Sequence, residues 1–405
     1  MALRKQHVID PEICIRCNTC EETCPIGAVT HDDNNYVVDP EKCNFCMDCI
    51  HPCPTGAIDN WRMVERYYTL EEQFSWLELP PETVPAADPA VTGEAGDAEA
   101  ERLIAEAHAA TGGRPVAPRG APSPVVGLHD RTAPAVARVV GNYRVTAADS
   151  DSDVRHIVLD FGATPFPVVE GQSLGVIPPG TGPDGRPRPI RLYSISSPRD
   201  GEKPGSPRLV ALTVKRVVAR RPDGSLHRGL CSNWLCDLER GAEVPVVGPF
   251  GTTFLLTDDP AADIVMICTG TGSAPFRAFT ERRRRTMRHA PGRLYLFFGA
   301  RTPEELPYFG PLQKVPRDLL HRELVYSRRP DRPREYVQDR MRLRGGLLAG
   351  LLRRPATHVY VCGVRGMEAG VEAAFAEIAR SHGLGPWEAL RARMVAEGRY
   401  HVETW

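Results

Sequence analysis

Two short stretches decide the fold of the first part of the chain: residues 14–25 read CIRCNTCEETCP, and residues 43–54 read CNFCMDCIHPCP. Both follow the pattern Cys-x2-Cys-x2-Cys-x3-Cys-Pro, and the second stretch begins 29 residues after the first. The flanking residues repeat as well, because Asp10-Pro-Glu precedes the first run and Asp39-Pro-Glu precedes the second. A duplicated unit of this length predicts a compact α+β module built from two similar halves.

The cysteine spacing resembles that of bacterial two-cluster ferredoxins. In those proteins three neighbouring thiolates and one distant thiolate bind each [4Fe–4S] cluster. The resemblance assigns one cluster to Cys14, Cys17, Cys20 and Cys53. It assigns the second cluster to Cys43, Cys46, Cys49 and Cys24. The alternatives are two zinc sites or a disulfide framework, although zinc sites favour paired CxxC or Cys/His sets.

The chain is long enough for several domains, because it has 405 residues and a domain usually has roughly 100–200. Its 50 basic and 51 acidic residues give a net charge of −1, so composition points to no nucleic-acid or membrane partner. No apolar run approaches the roughly 20 residues of a membrane span, and residues 1–10 lack the apolar core of a signal peptide. We therefore expect a cytoplasmic protein whose twelve cysteines are poor candidates for disulfides.

Composition divides the chain after the ferredoxin-like module, which we assign to residues 1–61. A helical segment and a linker are expected over residues 62–132. Residues 61–79 are rich in aromatic side chains and predict a helix, whereas 25 of the 46 residues in 80–125 are Ala, Gly or Pro. This composition predicts an extended or disordered linker, although residues 98–110 have helix-forming composition. The alternative is an ordered coil that lies over the surface of the following domain.

Short β-type runs separated by turn residues occupy residues 133–257. They predict a small antiparallel β-barrel, with strands at 135–142, 155–161, 172–177, 191–196, 209–218 and 243–247. Over residues 258–405, apolar strands alternate with helical segments such as 274–289 and 367–382. That alternation predicts a parallel α/β sheet. The chain is thus expected to be a multidomain protein of α+β and α/β type.

The barrel and the α/β domain resemble the plant-type ferredoxin–NADP+ reductase family, beginning with the segment Arg191-Leu-Tyr193-Ser194. The likeness extends from about residue 135 to the end of the chain. It implies FAD as a cofactor, with Arg191 on its phosphate, Tyr193 against the isoalloxazine ring and Ser194 near the flavin N5. The chemistry fits this assignment, because a guanidinium suits a phosphate and an aromatic face suits a flat heterocycle.

Two further segments resemble FAD-binding elements of the family. The segment 212–216, LTVKR, implies that Val214 and Lys215 lie beside the FAD adenosine. A second segment implies a pyrophosphate site at a helix N-terminus, formed by Gly229, Leu230, Cys231 and Ser232. One departure is Ala219, which stands where the family usually has a tyrosine stacked on the adenine.

The nicotinamide nucleotide is expected at a Gly-rich turn that follows the apolar strand 264–268 and enters a helix. By resemblance, its pyrophosphate contacts Thr269, Gly270 and Thr271. The family holds the adenosine 2′-phosphate with Ser-Arg and Lys-x-Tyr-x-Gln elements, which correspond here to Ser327, Arg328, Arg334, Tyr336 and Gln338. A dianionic phosphate suits arginine forks and hydroxyl groups. The sequence therefore favours NADPH over NADH.

The C-terminal part supplies the residues expected at the nicotinamide ring. The segment 359–367, VYVCGVRGM, resembles the Cys-Gly-x-x-Gly-Met element of the family. The resemblance puts Cys362, Gly363 and Glu403 near the nicotinamide. The chain ends in Trp405, where the family usually has tyrosine, and we expect its ring to cover the flavin and gate access of the nicotinamide. Ser194, Cys362 and Glu403 are the expected catalytic residues, because they shape the hydride transfer.

These resemblances predict an oxidoreductase in which electrons pass from NADPH to FAD and then singly to the two clusters. A two-cluster ferredoxin joined to a plant-type reductase resembles the reductase components of benzoyl-CoA 2,3-epoxidase systems. That likeness implies a separate di-iron oxygenase as partner, which epoxidises benzoyl-CoA in aerobic benzoate degradation. Two alternatives stay open: an NADPH:ferredoxin-type reductase that serves another acceptor enzyme, and a non-catalytic electron-carrier scaffold.

Overall fold

The computed structural model describes residues 4–80 and 98–405, except for residues 13, 45, 47, 50, 51, 54, 56, 59, 65, 183, 184, 186 and 221–224. The chain separates into two compact units, residues 1–94 and 95–405. Among the described residues, the smaller unit has one hydrophobic core, and the larger unit has several. In the described ranges, every helix is too short or too polar to cross a membrane.

The N-terminal unit is a small α+β module with two antiparallel strand pairs. Its elements are β1 (Arg4–Val8), α1 (Thr19–Thr23), β2 (Val29–His31), β3 (Tyr36–Val38), β4 (Asn60–Val64) and α2 (Leu70–Phe74). β1 pairs with β4, and β2 pairs with β3. The helix predicted over 61–79 is therefore only partly present. Asn60–Val64 forms a strand because β1 offers it a complete antiparallel partner.

α2 belongs to the same module, so the module extends beyond residue 61. A capping box starts this helix, because Thr69 and Glu72 each bond the other's backbone N–H. Gln73 is buried, and its side-chain amide makes two hydrogen bonds with the backbone of Val38 on β3. It donates to the Val38 carbonyl oxygen at 2.9 Å and accepts from the Val38 N–H at 3.3 Å. Asn35 also donates to the carbonyl oxygen of Trp76 at 2.6 Å. These bonds attach the helix and its C-terminal turn to the strands.

The C-terminal unit begins with α3 (Ala98–His108), inside the segment that composition predicts as a linker. Ala100 and Ala107 on this helix are fully buried, and the Glu99 carboxylate pairs with Arg131. A 3₁₀ turn follows, and its last residue, Thr111, donates to the carbonyl oxygen of Val402 at 3.3 Å. Residues 98–132 are therefore ordered rather than an extended linker, because the small alanine side chains allow α3 to pack closely on the domain that follows it. Residues 81–97 lie outside the described residues.

The barrel comprises β5 (Ala135–Arg144), β6 (Val154–Asp160), β7 (Ser173–Val176), β8 (Arg191–Ser194), β9 (Leu209–Lys215), β10 (Val218–Arg220), β11 (Leu226–Arg228), α4 (Leu230–Asp237) and β12 (Glu243–Phe250). Six strands form an antiparallel sheet in the order β8-β7-β12-β5-β6-β9, and β10 and β11 form a separate hairpin. Ile195, just after β8, bridges to Leu212 of β9. This bridge joins the two edges of the sheet, so the predicted antiparallel barrel is confirmed.

The α/β domain comprises β13 (Asp263–Thr269), α5 (Ser273–Thr286), β14 (Leu294–Ala300), α6 (Phe309–Lys314), β15 (Leu320–Tyr326), α7 (Val337–Leu343), α8 (Gly345–Leu352), β16 (Thr357–Gly363), α9 (Met367–Ser381), α10 (Trp387–Ala396) and β17 (Tyr400–Thr404). The five strands are parallel, in the order β15-β14-β13-β16-β17. Side chains alternate between the two faces of the sheet: Val265 and Ile267 enter one core, and Ile264 and Met266 the other. The direction in which successive strands are added to the sheet reverses between β13 and β16. In open α/β sheets, ligands bind at such a reversal, at the carboxyl ends of the strands.

A half-buried ion pair joins the barrel to the α/β domain. Arg277 of α5 donates two hydrogen bonds to the carboxylate of Glu202, at 2.7 and 2.8 Å. His156 Nε2 of β6 lies 3.1 Å from the same carboxylate. Burial opposes the ionisation of Glu202, but His156 and Arg277 lower its pKa to about 2. Glu202 is therefore charged at neutral pH and holds the two domains together.

Replacing Gln73 with leucine (Q73L) should destabilise the N-terminal module by about 1–3 kcal/mol, because two buried backbone groups of Val38 lose their partner. The measurement is the midpoint of thermal loss of cluster absorbance, which should fall. E71Q changes an exposed residue of the same helix and should leave the midpoint unchanged. Identical midpoints for Q73L and E71Q would contradict the structural role of Gln73.

Candidate functional site

Four cysteines of the N-terminal module line one small pocket, and they are Cys14, Cys17, Cys20 and Cys53. The first three come from the first cysteine run, and Cys53 comes from the second. Burial raises the pKa of the Cys20 thiol to about 12, and the charges of Cys14 and Cys53 act in the same direction. The structure thus brings together the first set of predicted ligands.

The second predicted set is also assembled around a buried thiol. Burial raises the pKa of Cys49 to about 11, and nearby Cys24, Cys43 and Cys46 contribute to the rise. Cys24 belongs to the first run, so each run gives its fourth cysteine to the other group. Each group therefore contains one cysteine of the other run, which is the grouping that the resemblance to two-cluster ferredoxins implies.

The arrangement of these thiols suits iron–sulfur clusters. A [4Fe–4S] cluster takes four thiolates, one on each iron, and each group here offers four thiols. Thiols with raised pKa values need the positive charge of bound iron to become thiolates at neutral pH.

A pocket of about 270 Å³ lies where the barrel meets the carboxyl ends of the parallel strands. The barrel contributes Leu192, Tyr193, Ser194, Thr213, Lys215, Val217 and Ser232. The α/β domain contributes Thr271, Gly272, Ala274, Cys362, Gly363, Val364 and Trp405. Eight of these residues were predicted from sequence for flavin or nicotinamide: Tyr193, Ser194, Lys215, Ser232, Thr271, Cys362, Gly363 and Trp405.

Strand alternation shows which part of one predicted residue on the barrel side a ligand could contact. Thr213 and Lys215 of β9 line the pocket, whereas Val214 between them is fully buried in the barrel core. Successive side chains of a strand point to opposite faces, so only the backbone of Val214 is available to a ligand. Thr213 was missed by the sequence analysis, although the same alternation identifies it once Lys215 is assigned.

The ends of β8 differ in their surroundings. Arg191 at its start is exposed, and its guanidinium donates to the carbonyl oxygens of Ile190 at 2.9 Å and Pro189 at 3.2 Å. Arg191 is not among the residues that line the pocket. Tyr193 lines it, and burial, followed by the neighbouring Cys231, raises the pKa of its phenol, which is neutral at physiological pH.

The segment 229–232 lies at the N-terminus of α4. Ser232 lines the pocket and its hydroxyl accepts the N–H of Val217 at 3.2 Å. Cys231 packs into the barrel core, whereas Leu230 is exposed. The first N–H groups of a helix lack intrahelical acceptors and suit an anion. The backbone N–H groups of this segment therefore suit a pyrophosphate, whereas not every side chain of the segment faces the pocket.

The Gly-rich turn packs directly against β16. Thr269 ends β13, Gly270 adopts the left-handed region with φ of 55°, and α5 begins at Ser273. A Cβ on Gly272 would lie 2.2 Å from the carbonyl oxygen of Cys362. Glycine is needed at this position because β13 and β16 approach each other at the reversal of strand order.

Cys362 and Glu403 are neighbours in register on β16 and β17. Burial, followed by the charge of Glu403, raises the pKa of the Cys362 thiol, which is neutral at pH 7. Glu403 is 3% exposed and lies outside the residues that line the pocket. Trp405 is anchored to β16, because its N–H donates to the carbonyl oxygen of Gly363 at 3.1 Å.

The residues predicted for the 2′-phosphate lie on the connection between β15 and α7 and in the first turn of α7. Ser327 and the exposed Arg328 follow β15 directly, and the exposed Arg334 precedes Tyr336, the N-cap of α7. Gln338 is in the first turn of that helix. This connection leaves the carboxyl end of β15 and is separate from the residues that line the 270 Å³ pocket.

Comparison with known proteins identifies both parts of the chain. Residues 13–57 match the 4Fe-4S dicluster domain family, and residues 266–373 match the oxidoreductase NAD-binding domain family. The cyanelle ferredoxin–NADP reductase of Cyanophora paradoxa is 38% identical over 283 residues, which cover 67% of this chain and 77% of the relative. The ferredoxin–NADP reductase of Thermosynechococcus vestitus is 35% identical over 310 residues, or 74% of this chain and 80% of the relative. This chain belongs to the ferredoxin–NADP reductase family.

The fold of the family is also found by structure. A ferredoxin–NADP+ reductase from Plasmodium falciparum superposes with a TM-score of 0.55 at 20% identity, covering 69% of this chain and 100% of that one. As a member of the ferredoxin–NADP reductase family, the chain is an oxidoreductase, and the prediction of FAD and NADP(H) as cofactors is confirmed. The dicluster match confirms the prediction of [4Fe–4S] clusters over the zinc and disulfide alternatives.

Each cysteine run contributes its fourth cysteine to the other group, so we can predict which cluster each cysteine variant should affect. C53S should perturb the same cluster as C14S, because both thiols belong to one group, although they lie in different halves of the repeat. The measurement is iron content together with the electron paramagnetic resonance spectrum of the reduced protein. C236S removes a buried thiol of α4 and should keep both clusters. A C53S spectrum that matches C49S instead would contradict the assignment.

Proposed function

We propose that this protein is an NADPH-dependent reductase that passes electrons from FAD through its two [4Fe–4S] clusters to a separate acceptor protein. The observation that supports this most is the convergence of Tyr193 and Ser194 from the barrel with Cys362 and Trp405 from the α/β domain on one pocket. When bound, FAD accepts two electrons from a nicotinamide and releases them singly, as iron–sulfur clusters require.

In this proposal the barrel residues hold the flavin. Tyr193 packs its neutral ring against the isoalloxazine, and Ser194 offers a hydroxyl at the pocket wall. Arg191, Lys215 and the backbone of 229–232 bind the phosphates and adenosine of FAD. Val214 contributes only backbone, for the reason given by strand alternation.

The α/β residues hold and orient the nicotinamide. Thr269, Gly270 and Thr271 offer the backbone of the turn to the pyrophosphate, and Gly363 leaves space for the ring. Cys362 presents a neutral thiol, so it packs against the ring without introducing charge. Glu403, buried next to it, and Ser194 complete the proposed catalytic set. Trp405, which is 39% exposed and anchored to β16, gates entry of the nicotinamide.

NADPH specificity is proposed to come from Ser327, Arg328, Arg334, Tyr336 and Gln338. In the described part of the chain, neither Arg328 nor Arg334 has a carboxylate partner. Arg329 differs from them, because Asp331 holds its guanidinium with two bonds at 2.6 and 2.9 Å. Two unpaired guanidinium groups on an exposed loop suit a dianionic phosphate.

R328A should raise the KM for NADPH by about tenfold or more, because a hydrogen bond to a charged group contributes about 1.5–3 kcal/mol. The kcat, and the KM for NADH, should change by less than about twofold. Steady-state dye reduction with each nucleotide measures both. R329A is the matched control, and its effect should be small because Asp331 already engages that guanidinium. An equal rise in KM for NADH would exclude a role in 2′-phosphate recognition.

We further propose that the acceptor is a di-iron oxygenase that epoxidises benzoyl-CoA, with both proteins in the cytoplasm. The support is architectural: a two-cluster ferredoxin module and a ferredoxin–NADP reductase share one chain. The alternative is a reductase for another acceptor enzyme. The scaffold alternative is less favoured, because the turnover residues Ser194 and Cys362 face one pocket.

The proposal is tested in two steps. Under anaerobic conditions the purified protein should reduce ferricyanide with NADPH, and absence of turnover would refute the reductase. Tagged protein from the native host grown on benzoate should then retrieve a carboxylate-ligated di-iron protein that converts benzoyl-CoA to an epoxide. The variant C20S should retain ferricyanide reduction and lose this conversion, because its clusters are damaged. Recovery of a different redox enzyme would favour the alternative acceptor.

A further inference from the structure

The last residue of α3 contacts the acidic residue of the proposed nicotinamide site. His108 is 9% exposed, and its Nε2 lies 3.6 Å from Glu403 Oε1. Its other ring nitrogen, Nδ1, lies 3.2 Å from Thr253 Oγ1. When the threonine hydroxyl donates to Nδ1, the ring proton is on Nε2 and faces the carboxylate. His108 belongs to the segment that composition predicts as linker, outside both reductase domains.

In the described part of the chain, few other groups are placed to donate a hydrogen bond to the Glu403 carboxylate. Within the described residues, Glu403 Oε2 is buried without a hydrogen-bond partner, and so is His108 Nε2. A buried carboxylate is costly unless a donor or a cation faces it. Two titratable groups on these strands are close in register: Cys362, a neutral thiol opposite Glu403, and His401, two residues earlier on β17, whose pKa burial lowers to about 3. His108 is therefore the donor that suits Glu403.

α3 is fixed at both ends, so the position of His108 is defined. At its start, Glu99 pairs with Arg131 and accepts the N–H of Ile190, the residue before β8, at 3.3 Å. After its end, Arg391 donates to the carbonyl oxygen of Ala110 at 2.8 Å. The helix thus runs from the strand that carries Tyr193 to the strand that carries Glu403.

We propose that His108 is a positioning residue for Glu403. Its Nε2–H holds one carboxylate oxygen and leaves Oε2 for the nicotinamide of bound NADPH. This inference rests on the proposed reductase function, in which Glu403 helps to orient the ring for hydride transfer. A helix outside the two reductase domains would then set the geometry of the hydride step.

The test compares H108L, which has no donor, with H108Q, whose amide nitrogen can replace Nε2. H108L should slow flavin reduction by NADPH in single-turnover stopped-flow experiments about tenfold, with the Kd for NADPH changed by less than about twofold. H108Q should stay within about threefold of the wild type. E101Q, at an exposed position of the same helix, is the control and should not change the rate.

A double-mutant cycle separates positioning from a general structural effect. In an E403Q background, H108L should cause no further fall in rate if His108 acts through Glu403. Equal losses in both backgrounds, or equal losses for H108L and H108Q, would overturn the proposal.

If H108L fails to fold, T253V takes its place, because it removes the hydroxyl that bonds His108 Nδ1. T253V should slow flavin reduction when Glu403 is present and should have no further effect in the E403Q background. A wild-type protein that does not oxidise NADPH would refute the proposed function instead, whereas normal turnover in both wild type and H108L refutes this inference alone.

Discussion

The contact between Glu202 and Arg277 is the interaction on which the proposed active site depends. Ser194 and Cys362 lie on different domains, so a pocket between them requires a fixed relation of the barrel to the α/β sheet. A charged carboxylate at this junction is stable because two partners face it, and its pKa of about 2 keeps it charged at neutral pH. Arg277 lies on α5, the helix that begins at the Gly-rich turn. The same helix therefore positions the nucleotide turn and fixes the barrel against it.

A second constraint acts through α3, which belongs to neither domain by sequence pattern. The helix lies against β17, and Thr111, in the turn after it, donates to the carbonyl oxygen of Val402 on that strand. β17 is an edge strand, with β16 as its one neighbour in the sheet. An edge strand that carries a buried acid at position 403 and an aromatic at the C-terminus needs support from outside the sheet. The helix supplies that support, and it links the order of the 98–132 segment to the geometry of the nicotinamide site.

Local patterns predicted much of this structure because they record local constraints. The cysteine spacing, through its resemblance to two-cluster ferredoxins, predicted two groups of thiols that the structure brings together. The Gly-rich turn predicted a nucleotide site, and the structure has this turn at the reversal of strand order. Both patterns depend on a few adjacent residues. The order of residues 98–132 was not predictable from composition, because Ala100 is buried in a cluster with Ile190, Val247 and Phe250, which are distant in sequence. The strand Asn60–Val64 likewise depends on β1, more than fifty residues earlier. Contacts such as His108 with Glu403 leave no pattern in the sequence, since 295 residues separate them.

The two units differ in what stabilises them, and this difference explains how one chain combines two kinds of electron transfer. The core of the N-terminal module includes six cysteines, of which Cys20 and Cys49 are buried. With so small an apolar core, bound iron must contribute to folding, so metal binding and folding are coupled there. The reductase unit has separate apolar cores on both faces of its sheet and inside its barrel. None of the eight cluster cysteines belongs to these cores, so we expect the proposed hydride chemistry to persist in variants that lose their clusters.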